Sequence, residues 1–311
     1  MLSESFSATL RRKRYFAHTS GRLEHVAKLL LSTGVTSFLP TLISSPPALY
    51  QELIPRFAQL RRLLGDGDDD DAAGGGARDG GGGRRGRGVV KRLPQASTPR
   101  GKPRPPSRAR VLGLHLEGPF MNEAKKGAHK AEYMRAPKLS GGGGGGGGGC
   151  DLGDLLEVYG SLEGVKLVTL APELAGALGA TRGLAAAGVV VSMGHTLSTF
   201  DEGVAGVRAG ARLITHLFNA MPAFHHRDPG LVGLLGAAAE DRCCYSLIAD
   251  GLHAHAASVR EALVRGPRIA PRAILVVTAR RVFNKYACPA AAAAHQGRPA
   301  REFFLFHIFC A

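Results

Sequence analysis

Three residues far apart in the chain share the chemistry of a cation site. Glu117 stands in HLEGPF, His195 in SMGHT and His216 in THLFNAM, each at or just past the end of a short apolar run. Two imidazoles and one carboxylate form the ligand set of a catalytic zinc-type centre, which keeps one coordination position open for water. A cation held this way lowers the pKa of bound water towards neutrality and polarises a carbonyl. In HLEGPF the period-two alternation of a strand puts His115 and Glu117 on one face. Gly118 and Pro119 then turn the chain directly after the carboxylate.

Neighbouring segments carry groups suited to a phosphorylated, hydroxyl-rich ligand. Ala128 and His129 lie in KGAHK, Asn219 and Ala220 follow His216, and His253 ends the DGLH turn. Arg227 sits in FHHRDPG beside His225 and His226, and a guanidinium grips phosphate bidentately where an ammonium cannot. A single histidine is more often a satisfied polar group than a ligand, and the chain has 12 of them. Three ligand residues at three strand ends carry weight that no one of them has alone.

Such ends need strands to carry them. Seven β-rich runs are predicted, over residues 36–41, 111–118, 165–173, 189–195, 213–219, 244–253 and 273–278. Helix-length amphipathic stretches separate them, including 23–32, 48–64, 174–187, 200–209 and 256–264. Alternation of this kind makes a parallel sheet. A doubly wound sheet places a glycine fingerprint after its first strand, and none is present. The polar residues instead fall at the C-terminal ends of several strands, as in an α/β (β/α)8 TIM-type barrel.

Two low-complexity blocks interrupt the pattern, residues 65–110 and the nine glycines Gly141 to Gly149. Neither composition can bury a core, so both are expected to be disordered Gly/Arg-rich insertions. The first also explains the charge. Of the net +15, +10 comes from residues 78–110, where eleven Lys or Arg face a single acid, Asp79. That segment is the place to look for nucleic-acid binding. It lacks interleaved aromatics, with no Phe, Tyr or Trp from Ala58 to Leu114, and a solvated insertion is the preferred reading. Five cysteines without CxxC spacing point to a reducing compartment, hence a cytoplasmic location. The apolar run FFLFHIF is far below the roughly 18 residues needed to cross a bilayer, so no membrane association is expected.

HLEGPF, KGAH, LVTLAPE, SMGHT, THLFNAM, HHRDPG and IADGLH, in this order, resemble the N-acetylglucosamine-6-phosphate deacetylases of the amidohydrolase superfamily, and LLSTGVTSFLPTLISSPP resembles them too. The resemblance implies hydrolysis of N-acetylglucosamine 6-phosphate to glucosamine 6-phosphate and acetate. It implies one divalent metal ion of the Zn, Fe or Co class on Glu117, His195 and His216. Ala128, His129, Asn219, Ala220, Asp250, Gly251, Leu252 and His253 would line the sugar phosphate, with His129 polarising the acetyl carbonyl. Arg227 would reach the substrate phosphate of the neighbouring subunit in a homodimer.

The chain also departs from that pattern. Residues 1–22 match neither the family's accessory β-sandwich nor its first barrel strand, so the barrel over 23–278 is expected to be incomplete, with open edges. After Thr278, the last residue of AILVVT, the family's aspartate general base is replaced by Ala279, leaving no catalytic carboxylate. The 279–311 tail is atypical, with an Ala-rich stretch and an aromatic end that look unfitted for packing. A non-catalytic relative, binding sugar phosphate or pairing with a full-length subunit, is the alternative to an enzyme.

Overall fold

A computed structural model of the chain describes residues 23–32, 34–66, 107–138, 152–241, 243–248 and 252–265, together with two later strands. The strands are β1 (Ser37–Ile43), β2 (Arg110–Val111), β3 (Leu114–Glu117), β4 (Val165–Leu170), β5 (Val190–Met193), β6 (Leu213–Ile214), β7 (Cys244–Ile248), β8 (Ala273–Val277) and β9 (Leu305–Phe309). The helices are α1 (residues 23–32) and α2 (Pro47–Leu63), α3 (Gly153–Tyr159), α4 (Ala177–Ala186), α5 (Phe200–Ala209) and α6 (Ala256–Arg265). None of the described helices is long and apolar enough to cross a membrane.

Local chemistry accounts for the helix boundaries. Thr199 and Glu202 form a reciprocal capping box at the start of α5, and Gly210 at φ 123° ends it. Pro47 opens α2, where its missing N–H costs nothing, and Arg61 and Arg62 occupy the last turn, favourable at the negative end of the helix dipole.

β2 and β3 are two pieces of one strand, since both pair in parallel with β1. Parallel pairing then runs β3, β4, β5, β6, β7, β8 without interruption. This curled parallel sheet is that of a partial TIM-type barrel. The seven expected runs all appear, but most are shorter than their apolar stretches. The last run was expected to reach Thr278; β8 is described only to Val277, and Thr278 lies outside the described residues. His195 and His216 lie beyond the last paired residues, Met193 and Ile214.

The open edges expected from a missing strand are closed, and the tail expected to stand outside the barrel supplies the closure. β9 pairs antiparallel with β8 at Val276 and Val277 and with β1 from Ser37 to Thr41, so the pairings form a ring. Seven parallel strands and one antiparallel strand thus replace the expected all-parallel arrangement. An edge pairs with any strand of suitable direction, because the unsatisfied N–H and C=O groups run along its whole length. Deleting residues 302–311 is expected to reopen β1 and β8, giving a lower melting temperature and concentration-dependent light scattering; a deletion variant that melts and scatters like the full chain would rule out the closing role.

Side chains pointing away from the barrel axis form the main core with the helices, among them Leu116, Val168, Leu170, Val191, Met193, Ile214 and Tyr245. Inside, Leu39, Leu167 and Leu213 form a small apolar floor. Two residues further along each strand the interior turns polar. Thr41 Oγ1 lies 3.0 Å from His115 Nδ1, His115 Nε2 lies 2.8 Å from Thr169 Oγ1, and Thr169 Oγ1 lies 2.7 Å from Thr215 Oγ1, which also bonds Ser192 Oγ. All five residues are fully buried. A buried polar chain is stabilising only while every member is satisfied. Thr215→Val removes its centre and leaves Thr169 and Ser192 each short of a partner. It is expected to cost about 1–3 kcal/mol in denaturant unfolding, and an unchanged midpoint would refute that.

Both low-complexity blocks are drawn together at their roots. Asp66 Oδ2 accepts from Arg108 Nη1 at 2.6 Å and from the Val111 N–H at 3.2 Å, bridging residues 67–106. Asp154 accepts from Arg135 Nη2 and from the Lys138 N–H, each at 2.7 Å, bridging the glycine run.

Candidate metal centre

The three ligand candidates come together. Glu117 Oε1 lies 3.0 Å from His195 Nε2 and 3.2 Å from His216 Nε2, and the two Nε2 atoms are 3.0 Å apart. All three residues are buried, with no more than 5% of any of them exposed. They form the cluster that could hold a metal ion among the described residues.

Hydrogen bonds on the far side of each ring fix which nitrogen faces inward. His195 Nδ1–H donates to the Lys125 carbonyl at 2.7 Å, and His216 Nδ1–H donates to the Asn219 carbonyl at 3.1 Å. Carbonyls only accept, so in the neutral rings both Nε2 lone pairs point at each other and at a carboxylate oxygen. Such a convergence needs a positive centre. A tetrahedral site with bonds of about 2.0–2.1 Å spaces its ligand atoms about 3.3 Å apart, close to the triangle observed. Glu117 Oε2 is buried and accepts no hydrogen bond from the described residues. The residues present therefore fit a divalent cation.

The electrostatics agree. Burial alone would raise the Glu117 carboxyl, but the imidazoles of His129, His195 and His216 against it outweigh that and hold the group well below the usual carboxylate range. Burial pushes His195 down, yet the bonds to Glu117 win and its pKa is raised. His129 behaves oppositely: burial dominates over Glu117 and lowers it.

His129 is the fourth member of the cluster. Its ring contacts that of His195, with centroids 4.5 Å apart, and its Nε2 lies 3.9 Å from Glu117 Oε1. The Ser44 N–H donates to His129 Nδ1 at 3.1 Å, so in the neutral ring the proton sits on Nε2, facing the centre. His129 is arranged as a donor where His195 and His216 are arranged as ligands.

The backbone is strained where the ligands sit. His195 (φ 49°), His216 (φ 36°), Phe218 (φ 78°) and Ala220 (φ 51°) are the non-glycine residues with positive φ among those described. Each such residue costs on the order of 1–3 kcal/mol and persists only when its surroundings over-determine it. Here the Asn122 N–H donates to the His195 carbonyl at 2.9 Å, and the His216 N–H donates to Ser246 Oγ at 2.6 Å.

The other expected residues divide. Asn219 and Ala220 join the centre through the Asn219 carbonyl and the Ala220 carbonyl, which accepts from the Thr196 N–H at 3.1 Å. Ala128, Arg227, Leu252 and His253 are exposed. Asp250, Gly251, Thr278 and Ala279 lie outside the described residues, so the position after Thr278, where the family's aspartate is replaced, has no described geometry. Ser44, Ser246 and the carboxylate of Glu173 shape the site but are not singled out in the sequence, although Ser44 and Glu173 lie in LLSTGVTSFLPTLISSPP and LVTLAPE, because each acts on a residue from another segment. Alternation could have indicated Ser246, which faces inward on β7. Cys243 is no nucleophile, since burial pushes its thiol up to about 12.

Fold and centre together define a partial TIM-type barrel with a buried Glu–His–His cluster at the C-terminal strand ends that could hold a metal ion, the arrangement of a metal-dependent hydrolase. Its sequence relatives are narrower than that class. Over 264 residues, 83% of the chain, it is 39% identical to the N-acetylglucosamine-6-phosphate deacetylase of Danio rerio. It is 38% identical to that of Homo sapiens over 256 residues, 81% of the chain. The chain spans about half the length of these relatives, 51% and 49%. An N-acetyl-D-glucosamine-6-phosphate deacetylase from Mycobacterium smegmatis, also determined as an aspartate-to-alanine mutant in complex with N-acetyl-D-glucosamine-6-phosphate, matches with a TM-score of 0.52 at 28% identity. The match covers 78% of this chain and 48% of that one. No protein-family model matches. The chain is a homologue of the N-acetylglucosamine-6-phosphate deacetylases.

Proposed function

We propose that this chain carries the metal centre of a deacetylase that hydrolyses N-acetylglucosamine 6-phosphate to glucosamine 6-phosphate and acetate. The observation that carries this reading is the buried triangle of Glu117, His195 and His216, with both imidazoles oriented as ligands. These three would hold one divalent ion, Zn, Fe or Co, which activates water and polarises a carbonyl when bound. The His129 Nε2–H, kept on that nitrogen by the Ser44 N–H, would donate to the acetyl carbonyl oxygen. Ala128, Asn219, Ala220 and the turn from Asp250 to His253 would line the sugar phosphate. Arg227 is exposed, as a side chain that reaches the phosphate of a neighbouring subunit's substrate must be, which supports a homodimer. The unpaired Cys243 and Cys244 support a reducing compartment such as the cytoplasm.

Ala279 favours a second reading, in which the chain binds the sugar phosphate without turning it over. One experiment separates the two. The purified chain, loaded in turn with Zn²⁺, Co²⁺ and Fe²⁺, is expected to release acetate slowly from N-acetylglucosamine 6-phosphate and to stop when chelated. Calorimetric binding with no acetate released would decide for the non-catalytic relative. Neither binding nor release would defeat both.

A further inference from the structure

Glu173 lies three residues past the end of β4, in a loop that donates no ligand. Its Oε1 accepts from the Leu197 N–H at 2.7 Å and from Asn122 Nδ2 at 3.1 Å, and its Oε2 accepts from the Thr196 hydroxyl. Both oxygens are thus occupied by protein donors. That argues against Glu173 as a substitute for the carboxylate missing at Ala279, and it raises the question of what the three bonds hold.

They hold His195. Thr196 and Leu197 are the residues that follow it, and Asn122 is the residue whose N–H donates to its carbonyl at 2.9 Å. The loop that begins at Asn122 also supplies the Lys125 carbonyl, which orients the His195 ring through Nδ1. Glu173 therefore ties the two loops that grip His195 to each other, across β3, β4 and β5. His195 needs that grip, because its φ of 49° is a conformation an L-residue leaves once its restraints weaken. A change in φ swings the ring and takes Nε2 away from Glu117 Oε1 and His216 Nε2.

We propose that Glu173 is a positioning residue for the metal ligand His195, setting the affinity of the centre from outside the ligand shell. The inference rests on the metal reading above. Outer groups of this kind typically change metal affinity by about 10–100-fold when removed. The full chain and its Glu173→Ala and Glu173→Gln variants should be titrated with Zn²⁺ against a chromogenic chelator, with melting curves recorded in excess chelator. Glu173→Ala is expected to weaken zinc about 10–100-fold. Glu173→Gln should restore affinity to within a few-fold, because its oxygen keeps the Leu197 and Asn122 bonds and its amide N–H can donate to the Thr196 hydroxyl. Should Glu173→Ala fail to fold, Thr196→Val removes one of the three bonds and should still weaken zinc several-fold. Absence of zinc uptake by the unsubstituted chain would defeat the metal reading itself. Uptake with affinity unchanged in Glu173→Ala, or in Thr196→Val where that variant is used, would overturn this inference alone, as would equal losses in the alanine and glutamine variants.

Discussion

Glu117→Ala is expected to leave the purified chain without bound metal. Removing a group that only orients a ligand costs about 10–100-fold in affinity, so removing the ligand itself should exceed about 100-fold. The reason lies in the charge of the cluster. Glu117 is the one carboxylate in it, with Oε1 3.0–3.2 Å from both imidazole nitrogens and Oε2 buried and accepting no hydrogen bond from the described residues. Two neutral imidazoles remaining in a buried site offer a divalent ion no compensating charge. Glu117→Gln should fall between the two, keeping an oxygen donor but losing the charge. Elemental analysis after dialysis measures the effect directly, and an alanine variant that retains equimolar metal would show that the ion sits elsewhere. Under the proposed function, acetate release should disappear in parallel with metal content.

Ala279→Asp is expected to raise acetate release by about 10²–10⁴-fold, the usual contribution of a general acid–base group. Thr278 and Ala279 follow directly after β8, which pairs in parallel with β7 and therefore ends at the same rim of the barrel as β3, β5 and β6. The ligand-bearing segments of Glu117, His195 and His216 all leave the sheet at that rim. Under the proposed function, a carboxylate at this position would take a proton from the attacking water and pass it to the departing amine. Steady-state acetate release at matched metal content is the measurement. Equal rates in the parent chain and the variant would mean either that proton transfer does not limit the reaction or that residue 279 does not face the centre, and would overturn the expectation.

Much of the framework is legible along the chain. Seven apolar runs become seven strands in the expected order, and four of the five expected helices fall within one residue or so of their predicted limits at both ends. α4 starts three residues late, because the turn after β4 runs on to Gly176, whose φ of 80° lies outside the helix. Period-two and period-3.6 patterns are local properties, so they survive without knowledge of partners. The short α3 is less readable. Its seven residues follow the glycine block, and its identity depends on Asp154 anchoring the chain and Tyr159 donating to the Gly118 carbonyl at 2.8 Å.

The residue types at the strand ends determined by themselves that Glu117, His195 and His216 could form one metal centre. Tertiary structure decided which histidine does what. His129 and His195 are both buried histidines beside one carboxylate, and only the partner behind each ring, the Ser44 N–H in one case and the Lys125 carbonyl in the other, turns an N–H of the first and a lone pair of the second towards the centre in the neutral rings. The same holds for closure. Nothing local in LFHIF names its neighbours, and its place between β8 and β1 follows from two sheet edges whose backbone groups need partners. Side-chain chemistry is written in the sequence; which lone pair or strand edge it meets is often set by contacts between distant segments, as across the 70 residues between Lys125 and His195.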